Sequence, residues 1–224
     1  MIYEKKDEKA IVRWDMDENT HLPNGKLYNF IALSPTAEAI TLIDGITEIG
    51  YGAFAVYQKS EDEFEFFTPS IKEIYIPSSV KHVENGAFAF LNLEKLEIAP
   101  NCKGLKQVGK AVLSGDGKRM LYFIDTDLTI DYTLPNGVEE IGDEAFSACV
   151  MNVTLPNSVK VIRANAFGAF EGTIIVPKSV EKIEENAFEK KKLFKKAKTV
   201  LLVKKGSYAH KWAKKNRVKY KILK

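Results

Sequence analysis

One phrase recurs along this chain of 224 residues. It reads IPSSVKHVENGAF at 76–88, LPNGVEEIGDEAF at 134–146, LPNSVKVIRANAF at 155–167 and VPKSVEKIEENAF at 176–188, with a degenerate copy, LIDGITEIGYGAF, at 42–54. The last three phenylalanines, Phe146, Phe167 and Phe188, recur every 21 residues. A unit that short cannot enclose a core of its own. It must bury its apolar residues against its neighbours, and the result is a solenoid.

Within a unit the order of residue types predicts a coil. Ile74 and Ile76 alternate with Tyr75 as in a short strand. Pro77 ends the strand because it has no N–H to donate. Ser78-Ser79 makes a turn, Val80 and Val83 point inward from a second short segment, and Asn85-Gly86 allows positive φ at a tight bend. Five apolar columns follow, one being Phe54, Phe88, Phe146, Phe167 and Phe188, read as a stacked spine inside the coil rather than a ligand box.

Two stretches interrupt the period. One lies at about 55–70. The other, about 109–131, contains AVLSGDGKRMLYFI, in which Gly115-Asp116-Gly117 reads as the turn of a β-hairpin projecting from the coil. The expected architecture is a β-rich α/β solenoid forming one continuous domain. Residues 1–39, with Trp14, Leu22, Leu27 and Phe30, form an N-terminal cap. Residues 40–203 are the coil. Residues 204–224 form a C-terminal cap in which Ser207 starts a helix over 208–216, with Tyr208, Ala209 and Trp212 on one side, and 218–222 adds a closing strand.

The phrase I-x-[IL]-P-x-[SG]-V-x-x-I-x-x-x-A-F, clearest at 74–90, 132–149, 153–170 and 174–190, resembles the BspA-like leucine-rich repeat family. The hairpin segment at 96–124 and the closing KKGSYAHKWAKKNRVKYKIL are similar to segments common in that family. The resemblance implies a leucine-rich-repeat-like coil and a non-enzymatic interaction module, adhesin-like and at the bacterial cell surface or secreted. The stretch MIYEKKDEKAIVRWDMDENT has no apolar core and is not read as a signal peptide. The expectation is therefore surface or secreted by resemblance, and cytoplasmic if no leader precedes this sequence. No run of apolar residues is long enough to span a bilayer, so no membrane insertion is expected.

Catalytic patterns are absent from the residues. His21, His82 and His210 have no motif partner, and there is no P-loop, nucleophile elbow or CxxC. Neither a cofactor nor a metal is expected; Asp125 and Asp127 are read as solvated turn carboxylates. Cys149, next to the Ala-Phe step, is read as core packing, and His82 and His210 as surface residues.

Binding candidates are of two kinds. The outward positions of the strands, Glu73, Tyr75, Lys95, Glu97, Asp131, Thr133, Asn152, Thr154, Thr173 and Ile175, are expected to form one continuous strip for a protein or glycan partner. The charge distribution gives a second candidate. Residues 190–224 hold 15 of the 33 Lys/Arg and no Asp/Glu, while the rest carries 18 against 30. Lys191, Lys192, Lys195, Lys196 and Lys198 are the candidate contacts for a polyanion. Lysine dominance without interleaved aromatics argues against base readout. A monomer is expected.

Overall fold

The computed structural model describes residues 2–7, 10–16, 23–31, 38–42, 44–54, 56–59, 64–67, 71–126, 131–188 and 199–224; for the strands before residue 38 and within 56–67 it describes the backbone path alone. Each repeat turns once around a shared interior. In the later repeats the strands Asp131–Thr133, Asn152–Thr154, Thr173–Val176, Val200–Val203 and Tyr220–Ile222 form one parallel sheet. The two-residue strands Glu140–Ile141, Val161–Ile162 and Lys182–Ile183 form the opposite wall. The earlier repeats place Ala39–Thr41, Glu73–Ile76 and Lys95–Ile98 in a separate three-stranded parallel sheet, facing Glu48–Ile49 and His82–Val83.

The predicted strand register holds. Ile40, Ile74, Ile76, Val153, Leu155, Ile174 and Val176 are buried, while Glu73, Lys95, Glu97, Asp131 and Thr133 are exposed. The phenylalanine column stacks as expected. Phe54 and Phe88 lie 5.6 Å apart, Phe146 and Phe167 lie 5.1 Å apart with an interplanar angle of 4°, and Phe167 and Phe188 lie 5.3 Å apart at 12°. Trp212 of the terminal helix closes the stack edge-on against Phe188.

The bends before each phenylalanine take the conformation that the Asn and Gly residues permit. Gly86, Asn165 and Asn186 all have positive φ. Glu144 occupies the same position with φ 59° although it lacks their tolerance for that region.

A second repeat-to-repeat device, read from the sequence only as a turn, belongs to the serine of P-x-S-V. Ser79 Oγ donates to Ile46 O at 2.8 Å, Ser158 Oγ to Val138 O at 2.6 Å and Ser179 Oγ to Val159 O at 2.7 Å. Each hydroxyl thus satisfies a carbonyl of the preceding coil. Glycine replaces this serine at Gly45 and Gly137, the first copy of each run.

The hairpin does not project. Ala111–Ser114 and Arg119–Phe123 are built into the second wall, antiparallel to each other, and Arg119–Phe123 pairs parallel with Glu140–Ile141. Only the tip around Asp116 reaches solvent. The reason lies in the side chains, which are apolar on both faces. Val112, Leu121 and Ile124 pack into the core of the earlier repeats, whereas Ala111, Leu113, Met120 and Phe123 pack into that of the later ones. A ribbon apolar on both sides cannot stand in water.

Residues 1–39 contribute an antiparallel meander, Ile2–Asp7, Ala10–Met16 and Pro23–Ile31. It joins the wall of the earlier repeats through Lys26 and Leu27 beside Glu48 and Ile49. The side chains of Trp14, Leu22, Leu27 and Phe30 lie outside the described residues. The insert near 55–70 holds the antiparallel pair Val56–Lys59 and Phe64–Phe67.

At the other end, Ser207 caps the helix Tyr208–Lys215 by accepting from His210 N at 3.2 Å. Ala209 and Ala213 are its buried residues. Tyr208, expected on the packed side, is exposed because Ala209 and Ala213 define that side.

Candidate strand-face binding surface

The outward strip is not continuous. Lys95–Ile98 and Asp131–Thr133 are edge strands of different sheets. After Lys95–Ile98 the chain runs into Leu105–Val108, which pairs with the hairpin on the opposite wall instead of adding a strand to the first sheet. The ten predicted contact residues therefore fall into two groups.

The first group, Glu73, Tyr75, Lys95 and Glu97, sits on a sheet where each lysine is shared between two glutamates. Lys95 Nζ lies 3.6 Å from both Glu73 and Glu97, and on the flanking positions Lys72 Nζ lies 3.6 Å from Glu38 and 3.5 Å from Glu94. These pairs are solvated, and a partner would have to strip their water.

The second group, Asp131, Thr133, Asn152, Thr154, Thr173 and Ile175, lines a depression of about 250 Å³ together with Leu202. In register, Thr133 stands beside Thr154, Thr154 beside Ile175 and Ile175 beside Leu202. The parallel row begins at Asp131, where Asn152 Nδ2 donates to the carboxylate at 3.0 Å and Asn152 Oδ1 accepts from Thr173 N at 3.1 Å. The surface thus grades from a carboxylate and an amide to β-branched and aliphatic side chains. Asn152 thus stands in this row with its side-chain amide engaged on both sides.

The opposite wall carries a polar cluster that sequence reading did not find. Arg163 NH2 lies 2.7 Å from Glu140 and its NH1 3.0 Å from Glu184. Asn85 Nδ2 donates to Glu140 at 3.0 Å, and Arg119 NH2 donates to Val83 O at 3.2 Å. Burial pushes the Glu140 carboxyl up, but hydrogen bonds from Arg163 and Asn85 outweigh it and leave its pKa lowered. The hydrogen bond from Lys182 is the leading cause that lowers Glu184. This cluster ties successive coils together and joins the earlier repeats to the later ones through Asn85 and Glu140.

Of the remaining chemistry-bearing residues, Asp125 lies close enough to Cys149 and Tyr122 to add to the rise that burial gives the pKa of both, and one of its carboxylate oxygens is buried rather than solvated as expected. His82 is exposed, as expected. His210 is half-buried against Tyr220, with its Nδ1 accepting from Gly206 N at 3.1 Å, rather than on the open face of the helix. Cys149 is buried in the later core, and burial pushes its thiol up to about 12. Cys102 packs against the earlier core. Among the described residues no group of three or more His, Cys, Asp or Glu is placed to hold a metal ion.

His21, Asp127 and the predicted polyanion contacts Lys191, Lys192, Lys195, Lys196 and Lys198 lie outside the described residues. The described part of the basic segment has Lys204, Lys205, Lys211, Lys214, Lys215, Arg217, Lys219, Lys221 and Lys224 exposed. Among the described residues no helix is long and apolar enough to cross a membrane.

The model of the BspA type leucine rich repeat region matches residues 59–115 and 121–209 in six copies, well over half of the chain. The chain belongs to this family. BspA-type repeat proteins are generally surface proteins that mediate interactions. A leucine-rich repeat protein from Eubacterium ventriosum ATCC 27560 has a similar fold, with a TM-score of 0.57 at 21% identity over 75% of this chain. The BspA-type chain described here spans 42% of that protein's length. A leucine rich cell surface protein from Faecalibacterium prausnitzii A2-165 aligns with a TM-score of 0.44 at 17% identity, over 74% of this chain and 53% of its own. The pneumococcal vaccine antigen PcpA aligns at 0.41 and 12%, over 84% and 68%. No curated protein matches the chain.

Proposed function

We propose that this chain is a non-enzymatic binding module, displayed at the bacterial surface or secreted and adhesin-like, that takes a protein or glycan partner on the strand face of its later repeats. The observation that carries this reading is the depression lined by Asp131, Thr133, Asn152, Thr154, Thr173 and Ile175. The positions defining the repeat are committed to the core, so recognition falls to the outward positions. Of the two outward sheets, the one with fewer charges costs less to desolvate. Short Thr and Asn side chains leave room for a ligand, and the Asp131–Asn152 pair supplies acceptors and donors at one end.

The test is saturable binding of the labelled protein to arrayed matrix proteins and glycans. Thr154→Arg fills the depression and should abolish binding, while Thr41→Arg on the other sheet should leave it intact. Equal loss in both variants, or no saturable binding by the wild type, would sink the reading.

A second reading rests on the exposed basic residues of 199–224, which no acidic residue of that segment offsets. In it, polyanions are held electrostatically by the C-terminal cap and by Lys191–Lys198. Retention on heparin would then fall steeply with salt, and Lys214→Glu/Lys215→Glu would weaken it while Thr154→Arg would not.

A further inference from the structure

Two Asn-Gly pairs of the repeat, Asn85-Gly86 and Asn136-Gly137, stand in contrasting surroundings. Asparagine is thermolabile, and a following glycine offers the least steric hindrance to attack by its backbone nitrogen on the asparagine side chain. At the first pair that attack is blocked. Asn85 Nδ2 is held by Glu140 at 3.0 Å. Gly86 is buried beneath the ring of Tyr51, which approaches to 2.4 Å of where a Cβ would stand.

At the second pair the surroundings are open. Asn136 and Gly137 are both exposed, and nothing lies within 4 Å of the Cβ position of Gly137, whose φ is 94°. Among the described residues, none shares a hydrogen bond with the Asn136 amide. The restraint on the attacking nitrogen is its hydrogen bond to Ser158 Oγ at 3.2 Å.

We infer that Asn136 is a site of spontaneous deamidation in the folded protein, and that Asn85 is protected. The Gly137 nitrogen loses its proton and bonds to Asn136 Cγ. The Cγ–Nδ2 bond breaks, ammonia leaves, and a five-membered succinimide closes. Water then opens the ring at either carbonyl. One opening gives aspartate. The other gives isoaspartate, in which the main chain runs through the former side chain. No oxidant or reductant enters; water is consumed and ammonia released.

Either product adds a negative charge to the turn that opens the later repeats. Isoaspartate also lengthens the backbone just before the N–H that meets Ser158. The mark would accumulate with the age of the protein.

The test is peptide mapping of the full chain after prolonged incubation at mildly alkaline pH, once folded and once in urea. In urea both sites should react at similar rates. In the folded chain Asn136 should keep reacting at a rate within severalfold of the unfolded one, yielding isoaspartate with aspartate, while Asn85 falls many-fold. Comparable folded-state rates at the two sites, or an unreactive Asn136, would overturn the inference. A product containing aspartate alone would overturn the cyclic route. Asn136→Gln should remove the change at that turn while leaving the melting curve of the fresh protein unaltered.

Discussion

Phe123 stacks on Phe146 with ring centroids 5.3 Å apart, although it belongs to the hairpin and to no copy of the repeat. Its chain neighbour Tyr122 points the opposite way and packs 5.9 Å from Phe88. The two-residue period of one strand therefore sends adjacent aromatic rings to the ends of two separate phenylalanine stacks.

The interior stack should dominate stability. Phe167→Ala removes a fully buried ring between two neighbours and should cost about 3–5 kcal/mol. The loss should spread to the flanking coils because neighbouring interfaces carry a solenoid. Thr154→Ala, on the outer face, should stay within about 0.5 kcal/mol. Urea unfolding of the two variants compares them directly, and a larger loss at Thr154 would reverse the inside/outside assignment.

The adjacent serines of one turn should behave unlike each other. Ser79 bonds both Ile46 O and Gly45 N, whereas Ser78 is exposed. Ser79→Ala should cost about 1 kcal/mol by stranding a carbonyl of the previous coil. Ser78→Ala should change the same unfolding midpoint little.

The Glu140–Arg163–Glu184 bridge should make the protein acid-sensitive. Both carboxyls have folded-state pKa values below the ordinary 4.5. Their contribution is therefore complete above that value and is lost as the pH falls through the lowered folded values. Arg163→Met should cost about 1–2 kcal/mol at neutral pH, discounted for partial exposure, and should flatten the acid limb of a stability-versus-pH curve.

Alkali should act through Tyr122. Burial pushes its phenol up to about 12 from 10.0, and its hydroxyl donates to Leu91 O at 2.8 Å. Folding favours the neutral phenol, so stability holds below the ordinary pKa and declines as the pH climbs from 10.0 towards 12. Tyr122→Phe should remove that decline. A spectrophotometric titration should show one late-ionising phenol missing from the variant.

Much of this was legible because one residue type repeats at one position. The inward columns, the phenylalanine stack and the bends at Gly86 and Asn165 follow from period and residue chemistry alone. The placement of the hairpin is not legible locally: the glycine-rich turn at 115–117 is a local signal, whereas burial of both faces of 111–123 depends on cores on either side of it. The broken strip has the same origin, since which wall receives the next strand is decided by long-range pairing. The Asn85–Glu140 contact joins residues 55 apart in sequence and has no local signature. The serine bonds could have been found. A serine that recurs at 79, 158 and 179 and gives way to glycine only at Gly45 and Gly137 is a periodic signal that a turn alone does not explain.

The two-sided hairpin has a bearing on how such a chain can change length. A solenoid end must be sealed, and a seal ordinarily halts growth. Here one ribbon closes the last coil of one series and opens the first of the next. Duplication or loss of a 21-residue unit downstream of it would leave the upstream core untouched, so the two series are free to evolve at separate rates. The downstream series, which carries the depression, can lengthen its recognition face without any renegotiation of the contacts around Phe54 and Phe88.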